Sequence, residues 1–101
     1  MKRLFYIASI VVLAFISCSK DEDFTPDCSG AAKSYTTDVA PVISSKCVSC
    51  HHQYNSYSGV YSGRSGIRSI IVSSSDHKNT SLTATQKNVV ACWIDNGAVN
   101  N

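Results

Sequence analysis

Residues 47–52 read CVSCHH and contain the pattern C-x-x-C-H, which brings two thiols and an imidazole within one turn of chain. Side chains three and four residues apart on a helical turn project to the same side. Cys47, Cys50 and His51 therefore meet one planar partner, and the pattern is the attachment signature of c-type haem. The two thiols add across the haem vinyl groups as thioethers. His51 then serves as proximal iron ligand, and its second ring nitrogen is expected to donate to a backbone carbonyl that fixes the tautomer. Two other chemistries draw on the same residues. A redox disulfide between Cys47 and Cys50 asks for a βαβ pattern, which this sequence lacks. A zinc site can be assembled from Cys47, Cys50, His77 and either His51 or His52.

The compartment bears on that choice. Lys2 and Arg3 precede an apolar run over residues 4–16 broken only by Ser9, and the small Ser17 comes before Cys18. The run has 13 residues, short of the roughly 20 that span a bilayer as a helix, so the order reads as a secretory signal peptide over residues 1–17. The segment FISCS at 15–19 resembles a lipobox whose Cys, here Cys18, receives lipid, with Phe15 where Leu is usual. An ordinary signal peptide cut near Ser17 and an uncleaved anchor are the alternatives. A multiply acylated Cys18 gives stable membrane anchoring, where a single chain gives only marginal binding. Haem c is assembled outside the cytoplasm, so export and C-x-x-C-H agree.

Of the 101 residues, 84 remain once residues 1–17 are set aside, enough for one small domain. Removing Lys2 and Arg3 from the nine basic residues leaves seven, equal to the seven acids. Asp21, Glu22, Asp23 and Asp27 fall within residues 18–27, so residues 28–101 hold six basic and three acidic side chains. That is a mildly basic domain behind an acidic, flexible tether, and too weak a field to argue for nucleic acid. The tether resembles the acidic export tag of surface lipoproteins in some double-membraned bacteria; a plain solvated spacer has the same composition. Domains of this size usually need a staple, by disulfide, metal or cofactor. Beyond residue 17 the only Trp is Trp93 and the only Phe is Phe24, so something besides side chains is expected to fill the interior.

The coarse pattern is all-α. A first helix is expected over 39–51, capped by Asp38, with Pro41 early enough that its missing N–H is not needed. Val39, Ile43 and Cys47 recur at four-residue spacing, flanked by Val42 and Cys50. Residues 53–66, rich in Ser, Gly, Tyr and Asn, read as loop with at most one short helical turn. Residues 67–72 form a short apolar run, with helix preferred over strand, and 73–81 form a polar loop holding His77. Thr83 and Gln86 spell a capping box for a last helix whose apolar face pairs Val89 with Trp93 and Val90 with Ile94; Gly97 supplies the left-handed stop.

Cysteine parity adds one expectation. With Cys18 assigned to lipid and Cys47 and Cys50 to haem, Cys28 and Cys92 remain, and an oxidising compartment favours their disulfide over two buried thiols.

Residues 28–101 resemble the small monohaem cytochrome c domains of bacterial lipoproteins. SYTTDVAPVISSKCVSCHH at 34–52 and ACWIDNGAVNN at 91–101 carry the likeness, with Val99 where Pro is common. The resemblance implies a class I cytochrome c-like fold around one covalent haem c, first and last helices crossing beside it and Trp93 packed at the crossing. Such domains usually supply a Met as second axial ligand, but the only Met here is Met1. His77 lies where that Met belongs and is the candidate distal ligand. His52 is a weaker one, since it projects away from the haem that His51 faces. Bis-His iron has a lower reduction potential than Met/His iron. Arg64 and Arg68 are candidate partners for haem propionates, and Tyr54, Tyr57 and Tyr61 for the haem edge, with solvated surface positions equally open to all five.

The expected function is single-electron transfer to redox partner proteins by a membrane-anchored lipoprotein at the outer membrane or cell surface, with the periplasmic face as another location. No nucleophile with a base partner and no carboxylate pair lies near the motif, so an enzyme is not expected. If the sixth iron position is open, the alternative is a five-coordinate haem protein binding a small gas or peroxide, a sensor or weak peroxidase. A zinc-bound structural lipoprotein is the third reading.

Overall fold

The helical start lies at Ser34, four residues before the expected cap at Asp38. The Ser34 hydroxyl accepts from the Thr37 N–H at 3.3 Å, and Asp38 Oδ2 accepts from the Ser34 N–H at 2.8 Å. Asp38 thus satisfies an orphan donor from inside the first turn instead of flanking it. This is the computed structural model of the chain, and it describes residues 24–73 and 81–101. The first turn, Tyr35–Val39, is π-helical and continues into α1, Ala40–Lys46. The Ala40 N–H reaches back to the Tyr35 carbonyl. A widened turn here gives the ring of Pro41 room it would not have against the carbonyl of a regular preceding turn. Regular helix ends at Lys46, short of the expected His51.

The second helix corrects the reading of 53–66 as loop. Residues His52–Asn55 form a 3₁₀ turn, and α2 runs Tyr57–Val72 with Ser56 as N-cap, its hydroxyl accepting from the Gly59 N–H at 3.3 Å. Each interior Gly weakens a helix by about 0.5–1 kcal/mol relative to Ala, so Gly59, Gly63 and Gly66 make this stretch look like loop. Packing explains two of them. A Cβ on Gly59 would run into the Gln53 carbonyl, and one on Gly63 would lie 2.7 Å from Tyr54 Cε1. The glycines let the 52–55 turn lie directly on α2, and Val60, Ile67 and Ile71 supply the buried face.

α3, Ala84–Asp95, begins with the expected capping box: the Gln86 N–H donates to Thr83 Oγ1 at 3.1 Å and the Thr83 N–H to Gln86 Oε1 at 3.0 Å. It ends in a Schellman reversal. The Ala98 N–H reaches the Trp93 carbonyl at 2.9 Å and the Gly97 N–H the Ile94 carbonyl at 3.1 Å, with Gly97 at φ +105°. Asn101 then returns to the first helix. Its carbonyl oxygen accepts from the Thr36 N–H and the Ser34 hydroxyl, and its Oδ1 from the Tyr35 N–H.

Trp93 sits where α3 meets the π-helical turn, 2 % exposed. Its ring centroid lies 5.5 Å from Tyr35 and 6.2 Å from Tyr57, and its Nε1–H donates to the Val99 carbonyl at 2.9 Å. Val39, Ile43, Val60, Ile67, Ile71, Val90 and Ala91 complete the core around it. Among the described residues there is no strand and no helix long and apolar enough to cross a membrane.

Residues 24–27, read as tether, lie along α3. The Asn88 side chain accepts from the Asp27 N–H at 2.7 Å and donates to the Asp27 carbonyl at 2.9 Å. Lys87 Nζ stands 5.7 Å from the Phe24 ring centroid. Beside them Cys28 and Cys92 are joined as a disulfide with Cα atoms 5.3 Å apart, within the usual range for the bond.

Candidate functional site

Cys47 is the residue at which α1 gives out, at φ −120° and ψ −36°. The turn that follows is closed on its carbonyl, which accepts from the Cys50 N–H at 3.3 Å and the His51 N–H at 2.9 Å. The three motif residues are therefore presented by one hydrogen-bonded turn, though not by regular α-helix. The His51 carbonyl accepts from the Tyr54 N–H at 2.9 Å, which starts the 3₁₀ turn and holds His51 between the two.

All three residues face the same space. A cavity of about 400 Å³ is lined by Cys47, Cys50, His51 and Tyr54 on one side and by Ile67, Ile70 and Ile71 of α2 on the other. Val42, Ile43, Leu82 and Val90 close it with further apolar surface, and Lys46 and Ser69 stand among the few polar side chains of its wall. A largely apolar cleft with a few converging ligand groups is the usual form of a cofactor site. Cys47 is half-buried, and burial pushes its thiol above the ordinary range, while Cys50 is exposed.

Two features leave the apolar cleft uncovered. Ile70 lines the cavity yet is 42 % exposed, an uncovered aliphatic side chain beside an apolar cleft. Gly66 also lines it and has nothing within 4 Å of where a Cβ would stand. Unlike Gly59 and Gly63, it is not explained by protein packing. The donor set of two thiols and one imidazole, aimed into apolar walls, suits a covalently held porphyrin. Among the described residues no three His, Cys, Asp or Glu side chains converge as a metal-ligating group.

The three tyrosines take different places, although the Tyr57 and Tyr61 ring centroids lie 5.6 Å apart. Tyr54 lines the cavity, its ring centroid 5.3 Å from that of His51. Tyr57 turns to the core, stacking edge-on against Tyr35 at 5.2 Å and donating its hydroxyl to the Ala98 carbonyl. Tyr61 is exposed, with the Arg64 guanidinium 3.8 Å over its ring. Arg68 forms a two-pronged ion pair with Asp95, at 2.7 and 3.2 Å. Neither arginine lines the cavity, and His52 does not either.

Cys18, His77 and the segment 1–17 lie outside the described residues. The sequence did not single out Ile70, Leu82 or Gly66 as site residues. The available signal was the glycine spacing, which becomes informative only when 57–72 is placed on a helix.

No family model matches this chain, and neither a curated protein nor a solved structure matches it.

Proposed function

We propose that this chain is a monohaem c-type cytochrome domain that carries single electrons, exported and held at the membrane by lipid on Cys18. The observation that carries the reading is that Cys47, Cys50 and His51, presented by one turn, all line the same apolar cavity of about 400 Å³. Cys47 and Cys50 hold the haem as thioethers and His51 ligates its iron. When bound, the haem supplies a one-electron couple at the iron; redox chemistry of this kind belongs to the cofactor.

The chain's own residues supply position and exclusion. The turn closed on the Cys47 carbonyl carries all three motif residues, and each of them lines the same cavity. Ile43, Ile67, Ile71 and Val90 exclude water from the inner face of the cleft, and such burial would tune the potential of a haem held there. His77 is the distal ligand in this reading, and bis-His ligation places the couple below that of a Met/His site. Redox proteins are the partners, and the lipid anchor keeps the domain at the outer membrane or cell surface.

Absorption spectra of the exported protein test this. A low-spin haem spectrum in both oxidation states, lost in Cys47→Ser/Cys50→Ser, is the expected result. The second reading, a five-coordinate haem binding a gas or peroxide, is favoured by one observation: Met1 is the only methionine. It predicts high-spin iron that takes up carbon monoxide readily, and a spectrum unchanged by His77→Ala. A colourless protein with stoichiometric zinc supports the structural lipoprotein instead.

A further inference from the structure

We propose that Tyr54, seated on Gly63 of α2, is a positioning residue that sets the plane of the His51 ring; the inference rests on the haem reading above. Three observations converge on it. The Tyr54 and His51 ring centroids are 5.3 Å apart with the planes inclined by 32°, close enough for one ring to limit rotation of the other. Tyr54 is itself seated against α2. A Cβ at position 63 would stand 2.7 Å from its Cε1 and 2.8 Å from its hydroxyl oxygen, so the ring occupies the notch the glycine leaves. The backbone beneath is pinned as well, by the Tyr54 N–H on the His51 carbonyl at 2.9 Å and by Gln53 lying where a Gly59 side chain would be.

The consequence is specific to the ligand. The imidazole plane of a proximal histidine decides which iron orbitals it overlaps, and a ligand's support is commonly as important as the ligand. Here that support comes from a face on α2, a separate helix. Tyr54 also lines the cavity, so the same ring forms part of the wall against which the haem lies.

The test uses the full-length exported protein in the ferric state. The haem methyl proton shifts are the readout, because their pattern changes when the plane of either axial imidazole turns, and His51 is the one that Tyr54 adjoins. Tyr54→Phe keeps the ring and is expected to keep the wild-type pattern at full haem content. Tyr54→Leu removes the ring, and Gly63→Ala displaces it; both are expected to rearrange the methyl shifts while the haem remains attached. By helix propensity alone Gly63→Ala should stabilise α2, so a rearranged pattern there reports the notch. If Gly63→Ala does not fold, Tyr54→Leu decides. Identical methyl patterns in wild type, Tyr54→Leu and Tyr54→Phe, all haem-loaded, overturn the positioning role and leave the haem reading intact. A wild-type chain that takes up no haem overturns both.

Discussion

The Tyr57 hydroxyl donates to the Ala98 carbonyl at 2.8 Å, tying the start of α2 to the reversal that follows α3. Ala98 is buried and holds φ +51°, a conformation that a residue with a Cβ adopts only when its surroundings impose it. Tyr57→Phe removes one hydrogen bond and keeps the ring against Trp93. A loss of about 1 kcal/mol is expected, the worth of one such bond. Thermal unfolding of the two proteins measures it.

The Cys28–Cys92 bond closes a loop across 64 positions of sequence. Constraining a loop of that length in the unfolded chain stabilises the fold by about 4 kcal/mol. Cys28→Ser/Cys92→Ser should lose an amount of that order in denaturant unfolding. The Asn88 bonds to Asp27 remain in this variant, so the loss is expected from the freer unfolded chain and not from detachment of residues 24–27.

Gly59 faces the Gln53 carbonyl so closely that a side chain cannot be added without moving backbone. Gly59→Ala is therefore expected to destabilise the protein by roughly 1–3 kcal/mol, as overpacking does, although helix propensity alone favours Ala by about 1 kcal/mol. The sign of the change in a melting experiment separates the two effects.

Cys47 and Cys50 differ in exposure, and burial raises the Cys47 thiol above its ordinary range. A raised value means less thiolate at any given pH, and thiolate is the reactive form. In chain prepared without haem, alkylation should therefore modify Cys50 first. Labelling of Cys47 should need a higher pH than an unhindered thiol requires. Peptide mass mapping across a pH series checks the order.

Much of this was legible in residues that carry strong local signals. Thr83 and Gln86 announced α3 because a capping box is a contact between neighbours, and Gly97 announced its end because a positive φ selects glycine. The motif turn was local too, with Cys47, Cys50 and His51 brought to one hydrogen-bonded turn, though beyond the end of the regular helix. What was not legible depended on distant partners. Ser34 won the first cap over Asp38 because Asn101, far along the chain, accepts from Ser34, Tyr35 and Thr36. Residues 57–66 looked like loop because Gly59 and Gly63 weaken a helix intrinsically; the reason for them, Gln53 and Tyr54 lying on their surface, is tertiary. The same limit hid Gly66, Ile70 and Leu82, which line the cleft only because of the way the helices pack.

Intact mass of the full-length chain, exported by a host that matures c-type cytochromes, tests the central claim most directly. The account predicts a gain over polypeptide and lipid equal to one haem, retained under denaturation and mapped to the peptide carrying Cys47 and Cys50. A chain that weighs only its polypeptide and lipid, with both thiols free to alkylate, would contradict it.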